Sequence, residues 1–556
     1  MIDALNALGK RKALFLLLLL GASLLFRLPT LFNDYYDVDE LAAIVQTQEY
    51  RAGDVPGRDF SESKLPLYHA LFKAAYALSP ERGWVVLHAF AVLIVFLTAL
   101  SVYFAGLRIG GFPVGALGSL FYAVFISSFN RHFMAVNGEI VYNLPVAAGF
   151  AFFLAFLQEK GLRKYLSFLF CLVLGVAAAQ VKFHGLILFI FLGVFFILYR
   201  RYYDGSLTRK YLALWGGLFL FLAAAFTADL MLSDKFASFL IYQVSSKLFY
   251  AAAQGSQPLI MAGKFLHRQG MLLIWHILLW VPAFWIMARF LSGRMRYGSG
   301  EQSALILMFL FTYLMVFAGG SRLYFHYFMT CYPFLCLASA MALSEETASR
   351  MDFFRRRATV LLLVPALFFW GWNVKDVVIR NCYPRAFYGE GKILYWARAV
   401  LVGSFNDYLL PEGSYMDAAD YIRRITRPGE RIFVWGDGPY LYYFSGRRMG
   451  IRHLWPKTSV ILINSLYTKG DDASRLQARR MEEDFVQMME TKKPVLFVDT
   501  SPNGLTNFRF PPPPVVRAYV EKSYRFLKEV NRMRIYARRG YEPLPEGKGE
   551  AEGERP

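Results

Sequence analysis

Through its first 375 residues the chain returns again and again to apolar runs of about 20 residues, the length needed to cross a bilayer. Eleven candidate spans are centred near residues 20, 95, 121, 149, 173, 192, 221, 280, 311, 334 and 366. In hydrocarbon a backbone must satisfy its own hydrogen bonds, so such runs have to be helices. The composition agrees, since 56% hydrophobic and 17% aromatic residues exceed what a soluble globule of this size carries. A polytopic α-helical membrane protein of about 11 transmembrane helices is expected.

The formal charge of +20 would suit a nucleic-acid binder, but its distribution gives another cause. Basic clusters recur in alternate connections: Lys10/Arg11/Lys12, Arg108, Lys160/Arg163/Lys164, Arg200/Arg201/Arg209/Lys210, Arg289/Arg294/Arg296 and Arg350/Arg355/Arg356/Arg357. The opposite short loops hold only Arg131, Lys182 and Arg322. Positive loops face the cytoplasm, so the N-terminus is expected inside and the region after the eleventh span outside. No nucleic-acid partner is implied. The first span, led by Lys10–Lys12 and followed by Arg27-Leu28-Pro29, lacks a small-residue cleavage site and is read as uncleaved. Four scattered cysteines form neither a disulfide framework nor a zinc spacing.

One loop breaks this pattern. Residues 30–82 carry Asp37-Val38-Asp39-Glu40 and then Arg58-Asp59-Phe60-Ser61-Glu62-Ser63-Lys64-Leu65-Pro66-Leu67-Tyr68. Ionisable groups beside a bilayer point to a functional site, and Asp37 is read as a solvated member of the loop. With the N-terminus inside, this loop shares the outer face with Asn130-Arg131-His132, Asn137/Glu139, Lys182/His184 and Arg322/His326. Four distant loops would then build one site.

From residue 376 to 541 the pattern is that of a small α/β domain. Helices are predicted over Ser414–Arg427 and 472–492, and strands over Arg431–Trp435 and Pro494–Asp499. Pro511–Pro514 reads as an extended spacer. Residues 542–556, rich in Gly, Pro and charge, are expected to be a disordered tail.

These motifs resemble the GT-C class of membrane glycosyltransferases, family 39 and its bacterial relatives, which include protein O-mannosyltransferases and the aminoarabinose transferase of lipid A. Asp39-Glu40 is similar to the acidic pair after the first span. Arg58-Asp59-Phe60 through Lys64–Tyr68 is similar to an RDF…E-x-K-x-P-L-Y stretch, with Leu65-Pro66 where Pro-Pro is usual. Asn137-Gly138-Glu139, the Lys-x-x-Gly turn Lys182–Gly185 and the Arg-x-Tyr-x-His-Tyr signature Arg322–Tyr327 complete the likeness. The resemblance implies a GT-C membrane domain over 1–375 and an extracytoplasmic domain over 376–541. It also implies an inverting transferase that takes a sugar from a polyprenyl-phosphate donor.

On that resemblance Asp39 is the candidate base and Glu40 its orienting partner; on pattern alone both would simply begin a helix over Leu41–Arg51, where acids suit the dipole. A departing phosphate calls for cationic donors, and Lys64, Lys182, Arg322 and His326 are the candidates; Arg322 and His326, four apart, would share a face on a helix. Position alone would let Lys182 snorkel; the Lys-x-x-Gly likeness favours the phosphate role. Asp59, Glu62, Arg131, Glu139, His184, Tyr324 and Tyr327 are candidate substrate contacts. No cofactor is expected; Asp39-Glu40 offers carboxylates of the kind that bind a divalent cation, but the resemblance implies metal independence. The partners are a polyprenyl-phosphate-linked sugar, a glycan, lipid or protein acceptor, and membrane lipids. The expected location is the inner membrane. A lipid or polysaccharide transporter, with charges at mid-membrane depth, and a non-catalytic assembly protein are the alternatives.

Overall fold

The computed structural model describes residues 2–55, 59–60, 64–198, 258–292, 300–317, 323–344, 351–382, 412–436, 438–452, 471–502 and 511–545, with a few isolated positions between 210 and 220 and between 454 and 467. Arg322, Glu62 and the candidate span near residue 221 lie outside them. Two compact units are present. One comprises Met1–Asp37, Lys64–Phe226 and Pro258–Val377; the other comprises Val38–Ser63, Thr227–Gln257 and Val378–Pro556.

The first unit is a helical membrane bundle. Among the described residues seven helices are long and apolar enough to span: Ala13–Phe32, Gly83–Phe125, Gly138–Gln158, Gly161–Val181, Gly300–Phe317, Phe325–Ser344 and Asp352–Lys375. An eighth span arises if Met261–Trp275 and Ile277–Leu291, bent by 111°, count as one. The 43-residue helix Gly83–Phe125 covers two spans expected from sequence. It breaks at Gly110–Gly111, where Gly111 has φ 73°, a conformation that side chains resist, and Pro113 opens the second arm. The bundle is therefore multi-pass. Leu14, Leu17 and Leu18 stand 57–68% exposed on the first helix, as lipid-facing residues do.

Polar groups inside the bundle are fastened to backbone. At the 111° bend His276 uses both ring nitrogens, meeting Ser128 C=O at 2.6 Å and the Tyr332 hydroxyl at 2.7 Å. The carbonyl can only accept, so Nε2 donates to it and Nδ1 accepts from Tyr332. Arg27, wholly buried at the end of the first helix, donates to Phe133 C=O at 3.2 Å and Met134 C=O at 2.5 Å.

The second unit contains a five-stranded sheet in the order β2-β1-β3-β5-β4. Its strands are β1 Arg431–Trp435, β2 Arg448–Met449, β3 Leu496–Asp499, β4 Tyr524–Val530 and β5 Met533–Arg538. β1 runs parallel to β2 and β3; β5 is antiparallel to both β3 and β4. Helices Glu412–Ile425, Gly438–Ser445, Asp472–Lys492 and Pro514–Ser523 connect and flank the strands. The α/β expectation holds. Pro514, read as spacer, instead opens a helix, because proline at the first helical position lacks only an N–H that would be unpaired anyway. The β4–β5 hairpin went unread, although Asn531 and Arg532, with φ 49° and 61°, make a two-residue turn of the primed kind. The loop helix Val38–Arg51 belongs to this unit, as do Asp39 and Glu40 in its first turn.

Among the described glycines Gly185 is the most closely packed. The turn Phe183–Leu186 folds back on the end of helix Gly161–Val181, and a Cβ on Gly185 would lie 2.2 Å from Ala178 C and Ala179 N. Gly185→Ala is expected to lower stability by about 1–3 kcal/mol, read as an earlier thermal transition in detergent; an unchanged transition would show that the turn yields.

Candidate active site

The site in the first unit begins with two segments sewn together. Tyr36 C=O accepts from Arg131 Nε at 2.9 Å, and its hydroxyl donates to Pro29 C=O at 2.9 Å. The Tyr36 ring is buried with Met134 and Ala135. Asn130 caps the short helix Arg131–Met134 by accepting from His132 N–H at 3.1 Å, and Asn137 Nδ2 donates to His132 C=O at 2.8 Å. His132 is thus fixed from both sides. Its Nδ1 lies 2.6 Å from Asp37 Oδ2, and both residues are buried. Asp37 is therefore no solvated loop acid. The alternating polar pattern around it hid the fact that a histidine 95 positions later would desolvate and pair with it.

A second pair lies beside the first. Glu139, 1% exposed, is the second residue of helix Gly138–Gln158, where the helix dipole favours a negative charge. Its carboxylate accepts a short hydrogen bond from the Lys182 ammonium. Lys182 leaves the end of its helix with extended backbone (φ −155°, ψ 139°), and its C=O accepts from Gly185 N–H at 2.8 Å. The Lys-x-x-Gly turn is what aims this lysine. The ammonium also sits 4.9 Å above the Tyr327 ring.

His326 joins the two pairs. Its Nε2 is 3.9 Å from Glu139 Oε1, and its ring centroid is 5.6 Å from that of His132. Tyr324 stacks on it at 5.5 Å and Tyr327 meets it edge-on at 4.7 Å. The charges of Lys182, His326 and Lys64 all act on Glu139. Lys64 immediately precedes Leu65, the cap of helix Pro66–Leu78, and Tyr68 in that helix donates to Val136 C=O at 2.8 Å. The structure so unites Lys182, Glu139, His326, Tyr324 and Tyr327, with Arg131 bonded behind them and Lys64 within electrostatic reach. His184 lies half-buried in the turn that carries Lys182.

Arg322 and His326 were placed on one helical face, but Leu323 has φ 47° and the helix starts only at Phe325, so a spacing of four is not helical here. Asp59 belongs to the second unit, where its carboxylate accepts from Val55 N–H at 2.9 Å; it closes its own loop. Asp39, half-buried, and Glu40, fully buried, also belong to that unit.

Sequence reading missed Arg268. Buried on helix Pro258–Trp275, it donates to Leu323 C=O at 2.6 Å and lies 5.5 and 5.1 Å from the Tyr324 and Phe325 rings. It holds the left-handed turn that presents His326. It stands among Lys264, His267 and Gln269, a polar stretch that gave no sign of its burial.

Asp37, His132 and His326 each offer one ligand atom, all within 4.8 Å of one another, and this donor set suits a divalent cation. A metal there would have to replace the direct Asp37–His132 hydrogen bond. Without one, the arrangement offers an anion the Lys182 ammonium, kept in place by Glu139, with Lys64 within electrostatic reach.

No family model and no curated protein sequence matches this chain. Solved structures do. The chain is similar to ArnT from Cupriavidus metallidurans bound to undecaprenyl phosphate, at 14% identity over 95% of this chain and 98% of that one, with a TM-score of 0.56. The apo form of that protein gives 15% identity, coverages of 96% and 98%, and 0.55. The apo oligosaccharyltransferase of Archaeoglobus fulgidus gives 12% identity over 92% of this chain and 72% of that one, with 0.50. At such identities the shared property is the fold. The chain has the GT-C fold with a carboxy-terminal sheet domain.

The Glu139–Lys182 pair should behave as a unit. Glu139→Leu strands a cation and is expected to cost about 3–5 kcal/mol, whereas Glu139→Leu with Lys182→Met recovers most of it. Equal thermal transitions in detergent for the single and double variants would contradict the pairing.

Proposed function

We propose that this protein is an inverting glycosyltransferase that moves a sugar from a polyprenyl-phosphate donor to a hydroxyl-bearing acceptor outside the cytoplasmic membrane. The observation that carries this reading is the Lys182–Glu139–His326 cluster, with Lys64 beside it, in a chain whose fold is that of a protein solved with undecaprenyl phosphate. A lipid phosphate offers an anion at the membrane surface, where these groups stand.

The chemistry breaks the bond between sugar C1 and the phosphate oxygen, and that oxygen keeps the electron pair. Lys182 and Lys64 neutralise the charge that develops on it, while Glu139 fixes Lys182 and prevents it from snorkelling away. His326 and Tyr327 wall the same space. The acceptor oxygen bonds to C1 from the opposite face, which inverts the centre, and gives its proton to a carboxylate. Asp39 is assigned that role by the sequence resemblance alone, with Glu40 as its neighbour on the loop helix. No metal takes part in this reading, and prolonged chelation should leave the rate unchanged.

A transporter would set its charged groups at mid-membrane depth. Glu139 instead lies at a helix start, Lys182 just past a helix end and His326 in the first turn of its helix, which favours an enzyme working at the surface. The basic clusters on alternate connections support a cytoplasmic N-terminus and an inner-membrane location with the site outside.

The test is mass spectrometry of envelope glycans and polyprenyl-phosphate sugars in a deletion strain. Wild type should restore one missing sugar and remove its accumulated lipid donor. Asp39→Asn should fail to do so, with a rate lower by about 10²–10⁴. Full rescue by Asp39→Asn would remove the assigned base; an unchanged sugar profile on deletion would remove the transferase reading.

A further inference from the structure

The second unit contains a group of charges that the proposed chemistry does not use. Its acids all come from the first outer loop: Glu49 near the end of helix Val38–Arg51, Asp54 in the turn behind it, and Asp59 beyond. Its bases all come from the carboxy-terminal domain. Arg431 opens β1, Arg448 opens β2 directly opposite it in register, and Lys492 ends helix Asp472–Lys492. Three acids on one segment face three bases on another, about 380 positions apart.

The geometry is that of a clamp. Asp54 takes Arg431 in a bidentate grip at 2.8 and 3.0 Å, and Arg448 Nη2 lies 2.7 Å from its Oδ1. Glu49 accepts from Met449 N–H at 2.7 Å, which completes the edge of β2, and takes Arg448 and Arg431 at 3.3 and 3.4 Å. Lys492 lies 3.8 Å from Asp54 and donates to Asp59 C=O. Tyr50 packs edge-on against the fully buried Phe60 at 4.8 Å, and the loop helix also packs on helix Gly438–Ser445. Burial raises the Glu49 carboxyl, which shares a hydrogen bond with Asp54, and by itself would raise Asp54 as well. The Arg431 and Glu49 hydrogen bonds, with the charges of Arg431 and Lys492, instead hold it at about 2, so it stays ionised at any physiological pH.

Exposed ion pairs contribute little, but Glu49 is 3% exposed, and buried pairs of fixed geometry specify one arrangement over its neighbours. Asp39 and Glu40 sit in the first turn of the helix whose twelfth residue, Glu49, is clamped, about 15 Å along the same rod. A shift at Glu49 is carried to Asp39 by the helix itself. We infer that the sheet domain is the positioning element for the loop helix, and that Glu49, Asp54, Arg431, Arg448 and Lys492 are positioning residues for transfer. This rests on the proposed role of Asp39 for its link to catalysis, but not for the clamp.

The test uses the full-length protein in nanodiscs. Hydrogen–deuterium exchange of residues 38–51 reads the clamp, and transfer kinetics read its consequence. Arg431→Glu should speed exchange across the loop helix and lower kcat by about 10²-fold, with KM for the lipid donor unchanged. Adding Asp54→Lys should restore neither, because Arg448 and Lys492 also face position 54 and Glu49 faces position 431. Asp54→Asn, which leaves the sheet untouched, should give a weaker form of the same change. Unaltered exchange in Arg431→Glu and Asp54→Asn would overturn the clamp, whatever the activity. Faster exchange with unaltered kcat would overturn the positioning role. A wild-type protein that exchanges slowly but transfers no sugar would count against the proposed function and leave the clamp standing.

Discussion

Burying Glu139 at the start of a membrane helix is the constraint on which the polar cluster of the bundle depends. A carboxylate taken out of water needs a partner, and Lys182 supplies it. Lys182 can do so only because its helix stops there and turns sharply at Gly185, the one residue type that fits against Ala178 and Ala179. His326 must then come close to the same carboxylate, which requires the left-handed turn at Leu323 and the buried Arg268 that secures it. Each element is a local exception to helix geometry. Together they set an ammonium, an imidazole and one acid at a helix end.

Much of this was legible in the chain. Long apolar runs set the class, and alternating basic clusters singled out the loops opposite, from which Lys182, Glu139, His326 and Tyr327 all come. Sequence could list these residues but not rank them. Asp37 looked like one polar residue among several because its partner, His132, is brought to it only by the Tyr36–Arg131 stitching. Arg268 was invisible for the same reason: its acceptor is a backbone carbonyl in another helix pair. The Arg322–His326 spacing misled because a four-residue interval implies a shared face only if the backbone between is helical, and Leu323 is not. In the carboxy-terminal domain the buried, contiguous strands were readable, whereas β4 and β5, exposed on one face and joined by a tight turn, were not.

The division of the chain carries a further lesson. Sequence order puts residues 30–82 in one loop, yet packing assigns Val38–Ser63 to the unit that holds the sheet. The reason is electrostatic. Glu49 and Asp54 find arginines only on β1 and β2, and those strands come together only when the domain has folded. An acidic loop beside a basic membrane protein has many nominal partners; the bidentate geometry of Arg431 selects one.

The account stands or falls on a lipid phosphate being held by Lys182. Native mass spectrometry of the purified protein with added polyprenyl phosphate measures this directly. Wild type should retain one lipid, and the double variant Glu139→Leu with Lys182→Met, which strands no buried charge, should lose it. Equal retention by the two proteins would mean that the buried Glu139–Lys182 pair is structural and that the donor phosphate binds elsewhere.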